Sequence, residues 1–246
     1  MENPLTVVIL AAGLGTRMKS KRAKVLHEVG GMPMVEHVVR TALEFASPAR
    51  VFVVVGNQAS EVEAALSAYG VQFVLQTEQK GTGHALLVAR ESAGAGPGPV
   101  VVLYGDAPLL TTATLSRLIE EQSRWGAAAA VLTTELRDPT GYGRIVRAPD
   151  GSVAAIVEHK AATPEQLALR EINSGIYCFA GELMWPRLDA IGTDNPAGEF
   201  YLTDIVEILR RDGHATRPVL LDDSAEVLGI NTRAELAEAD RILRER

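Results

Sequence analysis

Leu5-Thr6-Val7-Val8-Ile9-Leu10-Ala11-Ala12-Gly13-Leu14-Gly15-Thr16-Arg17-Met18-Lys19-Ser20-Lys21-Arg22-Ala23-Lys24 sets how the rest of the chain is read. The run from Leu5 to Leu10 lacks polar alternation, the pattern of a strand covered on both faces. Glycines follow at 13 and 15, and they let backbone N–H groups approach a phosphate or a base closely. Arg17, Lys19, Lys21, Arg22 and Lys24 then put five positive charges in eight residues, and no acid lies between Glu2 and Glu28. Two readings fit this spacing: a loop that holds a polyphosphate, and a tight turn with a solvated basic face. Two common labels fail. G-x-x-x-x-G-K-[ST] is absent. A dinucleotide fingerprint would need Gly or Ala where Met18 stands, and an acid where Gly56-Asn57 stand.

Outward from this loop, the first half alternates β-branched runs with helical spacing. Pro33 suits the first turn of a helix that continues through Met34, Val35, Val38, Val39, Ala42 and Leu43. Strands are expected at Val51–Val55, Val71–Leu75 and Val100–Leu103. Helices are expected through Val62, Ala65 and Leu66, over about Gly83–Ser92, and over Thr112–Trp125, with a loop at 94–99. This βαβα rhythm predicts a parallel sheet with helices on both faces. The second half is less regular, with strands expected at Ala128–Thr134, Arg144–Arg147, Val153–Val157 and Ile172–Phe179. Helices are expected at Leu202–Arg211 and Ala234–Leu243. The prediction is one α/β domain whose sheet is mixed at its edge. In such sheets ligands sit at the carboxyl ends of strands, here the loops after Leu10, Leu75 and Leu103.

The loop after Leu75, Gln76-Thr77-Glu78-Gln79-Lys80-Gly81-Thr82-Gly83-His84, sets an amide beside a Gly-rich turn, suited to a planar base edge. It also reads as an ordinary strand-to-helix turn with Thr82 as N-cap. The third, Tyr104-Gly105-Asp106-Ala107-Pro108-Leu109, puts an acid directly after a buried strand. That carboxylate could hold a hard cation such as Mg²⁺, or simply form a turn. The five histidines (His27, His37, His84, His159, His214) lack zinc-ligand spacing. Cys178 lies in an apolar run and reads as inert core, and Trp125 and Trp185 read as packing residues.

The 246 residues fit one large or two small domains. An apolar content of 47% with 22% charged residues is ordinary globular usage. The net charge of −7 and a pI of about 5.3 disfavour a general nucleic-acid or anionic-membrane binder, but leave room for a small anion in a local pocket. A single cysteine excludes an intramolecular disulfide framework and fits a reducing compartment. The Leu5–Ala12 run has no basic n-region and leads into a turn, unlike a signal peptide, and no run reaches membrane-span length. A cytoplasmic location is expected, with no nucleic-acid or membrane partner.

Several loops together resemble the sugar-nucleotide pyrophosphorylases. The residues are Leu10 to Met18 with Lys24, Gln76 to Gln79 with Gly81-Thr82-Gly83-His84-Ala85, and Tyr104-Gly105-Asp106. Asp138 to Ile145, Ile156 to Lys160, Glu171 to Gly175, Gly198 to Asp204 and Gly229-Ile230-Asn231 continue the pattern. Within that family the chain resembles the uridyltransferase domain of bacterial N-acetylglucosamine-1-phosphate uridyltransferases, from about Thr6 to Arg233. The resemblance implies a Rossmann-like nucleotide-diphospho-sugar transferase fold, a mostly parallel mixed sheet. It also implies a Mg²⁺-dependent reaction for cell-envelope precursor synthesis, in which UTP and N-acetylglucosamine 1-phosphate give UDP-N-acetylglucosamine and pyrophosphate. Carried over by position, Leu10, Ala11, Ala12, Gly13, Gly15, Thr16, Gln76, Gln79, Gly81, Thr82, Tyr104 and Gly105 would hold UTP. Arg17 and Lys24 would be catalytic, neutralising the triphosphate and the leaving pyrophosphate. Gly143, Glu158, Asn173, Tyr201 and Thr203 would hold the sugar, and Asp106 and Asn231 the Mg²⁺.

The resemblance further implies a nucleotidyltransferase domain over 1–231, with 232–246 a C-terminal helix that begins the linker arm of longer relatives. Those relatives usually continue into a hexapeptide-repeat acetyltransferase, and no such repeat lies in these residues, so acetyltransferase activity is not expected. Trimerisation, associated with that repeat, is left open. Two other functions share these sequence features: a uridylyl- or thymidylyltransferase acting on glucose 1-phosphate, and a non-catalytic nucleotide-sugar sensor on the same fold.

Overall fold

The computed structural model describes residues 4–94 and 96–246. Residue 95 of the expected 94–99 loop, and the first three residues of the expected 1–231 domain, lie outside the described residues. The chain runs β1 (Thr6–Leu10), β2 (Glu28–Val29), β3 (Met32–Pro33), α1 (Met34–Leu43), β4 (Val51–Val55), α2 (Ala59–Leu66), β5 (Gln72–Leu75), α3 (Thr82–Ala93), β6 (Pro99–Tyr104) and α4 (Thr112–Trp125). It continues through β7 (Ala129–Glu135), β8 (Arg144–Arg147), β9 (Val153–Val157), α5 (Pro164–Leu167), β10 (Glu171–Ala180), α6 (Gly181–Met184), α7 (Asp204–Arg211), β11 (Thr216–Leu221) and α8 (Arg233–Glu245).

The β-branched runs β1, β4 and β6 form the sheet centre because apolar side chains on both faces need cover on both sides. Every residue of β1 and β4 is buried. The sheet order is β11-β7-β10-β6-β1-β4-β5, with β8 on β10 and β9 on β8. One face packs α1, α2 and α4 against Val7, Ile9, Val53 and Leu103. The other packs α3, α6 and α7 against Val8, Leu10, Val54 and Val102. A third, small cluster seats α8 through Ala239 on Val29, Met34, Leu109 and Ile230.

Three sequence expectations need correction. The mixed character is not confined to an edge: β8 and β9 pair antiparallel at a margin, but β10 also runs antiparallel between β6 and β7, inside the sheet. One end of the sheet is β11, parallel to β7, a strand the sequence reading did not expect. It escapes detection because Pro218 interrupts its pattern, a residue that edge strands tolerate. Pro33 ends β3 and precedes α1 as its N-cap rather than lying in its first turn. The short β2–β3 hairpin that turns at Gly30-Gly31 draws Pro33 out of the helix. Trp185 is core, but Trp125 is half exposed, with Arg124 and Arg217 over its ring at 5.2 and 5.0 Å. Among the described residues no helix is long and apolar enough to cross a membrane.

Candidate active site

The chain passes from β1 to β4 and β5 on one side, then returns to β6 on the other. The sheet order therefore switches beside β1, where such folds open a crevice. Leu10 stands opposite Tyr104 in register. Gly105 N–H donates to Leu10 O at 3.0 Å, Ala11 N–H to Val54 O at 2.9 Å, and Gln76 N–H to Val55 O at 2.8 Å. These bonds bring all three loops to one rim, where they enclose a cleft of about 570 Å³.

The first loop folds back on itself. Gly15 has φ 61°, and a Cβ there would lie 2.5 Å from Lys24 Cβ, so only glycine lets Lys24 cross above it. One helical turn at Thr16–Met18 follows, anchored by buried Met18. Of the five cations only Arg17 and Lys24 line the cleft; Lys19, Lys21 and Arg22 are exposed outside it. The polyphosphate reading of the loop therefore narrows from five charges to two. Lys24 Nζ forms an ion pair with Asp106 and donates to Asn231 Oδ1 at 3.1 Å. Arg17 donates to the same amide oxygen at 2.8 Å. Asp106 lies at the end of β6, and its main-chain oxygen accepts from Ile230 N–H at 2.9 Å, which delivers Asn231 to the site.

Asp106 and Asn231 thus offer a carboxylate and an amide oxygen to one cationic centre. Hard oxygens in small number suit Mg²⁺, which is commonly held by one or two carboxylates plus substrate phosphates. Among the described residues no cluster of three or more His, Cys, Asp or Glu could hold a metal alone. The donor set fits a divalent cation that shares its shell with a polyanionic ligand.

The second loop forms the opposite wall. Gln76, nearly fully buried, donates to Gly81 O at 3.2 Å and meets His84 Nδ1 at 2.9 Å. Gln79 donates to Gln76 O at 3.0 Å. Gly81 has φ 107°, and a Cβ there would meet Phe200 O at 2.5 Å. Residues 198–203 press onto this turn: Gly83 N–H donates to Phe200 O, and Phe200 N–H to Lys80 O, each at 2.8 Å. Thr82 is not the N-cap expected of it. Gly81 takes that position, and the Thr82 hydroxyl accepts from Leu202 N–H at 3.1 Å.

The far end is built by β8–β10. Asn173 N–H donates to Gly143 O at 2.9 Å, and Asn173 Oδ1 accepts from the Tyr177 hydroxyl at 2.9 Å and from Gly175 N–H at 3.0 Å. Thr203 donates to Glu158 Oε1 at 3.3 Å. Burial, reinforced by Asp204 and Glu199, raises the Glu158 carboxyl, and the Thr203 hydroxyl opposes the shift. Burial, then Glu158, also raises the Tyr104 phenol.

The Glu158 shift has a measurable consequence. Between the ordinary value of 4.5 and the raised folded value, the folded chain holds a proton that the unfolded chain has released. Stability therefore falls as pH rises through that window, and stays lowered above it. Glu158→Gln cannot ionise and escapes this loss. The variant is expected to melt above the parent at about pH 7 and to lose the advantage below about pH 4.5. Melting curves across pH check this; a pH-independent difference would take the carboxyl out of the account.

Among the residues expected from sequence, Gly105, Tyr201 and Thr203 do not line the cleft, and the others do. Gly105 lies behind it, where a Cβ would press on Ala11, Val25 and Val35 at 3.2–3.3 Å. Thr203 is buried and reaches the cleft only through Glu158. Sequence reasoning missed Tyr142, Gly175, Glu199 and Gly229 in the wall, although each belongs to or adjoins a motif already singled out. It also missed Arg144, 1% exposed and without an ion-pair partner among the described residues. Arg144 donates to Tyr142 O and lies 3.4 Å from His159 Nδ1, joining the loop before β8 to the residue after Glu158. Cys178 is buried in β10, and burial pushes its thiol up to about 12, so it is not a nucleophile.

A sheet that switches order beside a glycine turn, with two cations and a carboxylate at the switch, defines a doubly wound α/β protein with a site for a phosphorylated ligand. The profile of the MobA-like NTP transferase domain matches residues 7–201, and the chain belongs to that family. It is 54% identical over 246 residues to the bifunctional protein GlmU of Solibacter usitatus, across 100% of this chain and 53% of that protein. It is 50% identical over 248 residues to GlmU of Streptomyces griseus, with coverages of 99% and 51%. Identity to GlmU of Lactobacillus delbrueckii is 47% over 240 residues, covering 98% and 52%. The chain spans about half the length of these curated relatives. A solved Bacillus anthracis structure assigned as a glucose-1-phosphate thymidylyltransferase, in complex with a sucrose, superposes with a TM-score of 0.73 at 22% identity. It covers 98% of this chain and 96% of the other. That likeness concerns the fold, and it agrees with the nucleotide-sugar transferase architecture expected above.

Proposed function

We propose that this chain is a Mg²⁺-dependent nucleotidyltransferase that makes UDP-N-acetylglucosamine and pyrophosphate from UTP and N-acetylglucosamine 1-phosphate. The observation that carries the reading is the meeting of Lys24, Arg17, Asp106 and Asn231 in one cleft with Glu158 and Asn173. The relatives named above and the motif resemblance support the same substrates.

The sugar phosphate is the nucleophile and is already anionic, so no side chain need remove a proton from it. Its oxygen forms a bond to the α-phosphorus of UTP as the bond to the β-phosphate oxygen breaks, and pyrophosphate leaves with that electron pair. Two mutually repelling polyanions must be brought in line, and positioning with charge neutralisation can carry most of the barrier. Arg17 and Lys24 supply positive charge at the triphosphate. The backbone from Ala11 to Gly13, with Gln76, Gly81 and Thr82, grips the uridine. Gly143, Glu158 and Asn173 orient the acetylated sugar, with Thr203 fixing Glu158 and Tyr201 on the same side. Asp106 and Asn231 would hold the Mg²⁺, which neutralises phosphate charge when bound. UTP and sugar phosphates are cytoplasmic metabolites, so the reading places the activity there.

Pyrophosphate release with UTP and Mg²⁺ tests the proposal. N-acetylglucosamine 1-phosphate is expected to give the highest kcat/KM. A clear preference for glucose 1-phosphate, or for dTTP, would overturn the substrate assignment. Binding of UDP-N-acetylglucosamine without any turnover would make the chain a sensor.

A further inference from the structure

Arg233 opens α8, on the far side of the sequence from the cationic loop, yet its guanidinium sits on that loop. Nε donates to Met18 O at 3.3 Å, and a terminal nitrogen donates to Lys19 O at 3.4 Å. Those carbonyls end the single helical turn that carries Arg17, where oxygens lack partners and a cation is favoured. Lys19 closes the turn at φ 49°, a left-handed conformation uncommon for a non-glycine residue, so the turn needs outside support to hold its shape.

The same end of α8 fixes Asn231. Thr232 and Glu235 form a reciprocal cap, and Glu235 also accepts from the Asn231 N–H at 2.6 Å. Asn231 in turn accepts from Arg17 and Lys24. The contacts close a ring: α8, Arg233, the turn, Arg17, Asn231, Glu235 and back to α8. The helix has its own anchors away from this ring, at Ala239 and through Gly30 N–H on Asp240 at 2.7 Å.

We infer that Arg233 is a positioning residue for nucleotide binding, and that α8 acts as a working part of the site by fixing Arg17 and Asn231 relative to each other. The inference deepens the nucleotidyltransferase reading and rests on it. Arg233 touches the loop's main chain and does not line the cleft, so its effect passes through Arg17.

Two readouts test it on the full chain. Trypsin cuts after lysine and arginine, and the segment from Arg17 to Lys24 carries five such sites. Cleavage there, followed by mass spectrometry, reports loop order without any turnover. Arg233→Ala is expected to speed cleavage within 17–24 at least about fivefold while cleavage elsewhere keeps its rate. It should also raise KM for UTP roughly tenfold and change kcat less than about threefold, the split expected when binding is lost more than chemistry. Arg233→Lys keeps the charge but cannot present two parallel donors, and should fall between the two. Cleavage within 17–24 and KM both within twofold of the parent would overturn the inference. Arg233 is exposed and α8 has separate anchors, so a folded variant is expected; faster cleavage everywhere would show global loosening and would also overturn it. Absence of UTP turnover in the parent would sink the functional reading alone, because the proteolysis comparison still decides whether Arg233 orders the loop.

Discussion

Lys24→Ala is expected to lower the rate of pyrophosphate release by about 10²–10³-fold at saturating substrates, in line with losing one preorganised donor. Among the described residues Lys24 is the loop cation that contacts both Asp106 and Asn231, and under the proposed function its ammonium meets the charge of the triphosphate. Gly15 has no side chain to move aside, and Arg17 reaches the Asn231 amide oxygen without pairing with Asp106, so it does not replace the lost ammonium. Lys24→Arg should recover little, since a planar guanidinium is larger and directs its donors differently. Steady-state rates with UTP, Mg²⁺ and each sugar phosphate give the measurement. A Lys24→Ala variant with near-normal turnover would remove Lys24 from its role.

Asp106→Ala should cost at least about a hundredfold, because a metal's charge stabilisation is worth several kcal/mol and each 1.4 kcal/mol is about tenfold in rate. The carboxylate is largely buried at the end of β6, with Lys24 as its ion-pair partner. Its loss removes the one charged oxygen of the proposed cation site and also frees the Lys24 ammonium from its partner. Asp106→Asn keeps an oxygen in place and should fall between alanine and the parent, with half-saturation shifted to higher Mg²⁺. Rates measured across a Mg²⁺ titration separate the cases. A variant that keeps the parent's Mg²⁺ curve would show that Asp106 holds no metal.

The elements that position the site were legible because their signal is local. A β-branched run, two glycines and a burst of positive charge mark β1 and its loop whatever surrounds them, and the periodicity of α1 and α4 survives in the structure. What sequence could not give depends on partners distant in the chain. The place of β10 inside the sheet is set by β6 and β7, which flank it on both sides. The pairing of β11 is hidden by Pro218. Arg144 opens an expected strand as a charged residue beside Ile145, and only packing shows it buried. In sequence the five cations of the loop form one patch; folding back across Gly15 is what sorts Arg17 and Lys24 inward from Lys19, Lys21 and Arg22.

Residues 198–203 touch both walls of the cleft. Phe200 exchanges main-chain bonds with the turn beside Gln76 and Gly81, and Thr203 holds Glu158. The two walls therefore share one short piece of backbone, and a Cβ at Gly81 would already collide with it. Under the proposed function, base and sugar preference are therefore not separate modules for anyone redesigning this scaffold. A segment grafted from a relative to change the sugar would arrive with its own spacing against the base-side turn, so both loops have to be exchanged as a matched pair.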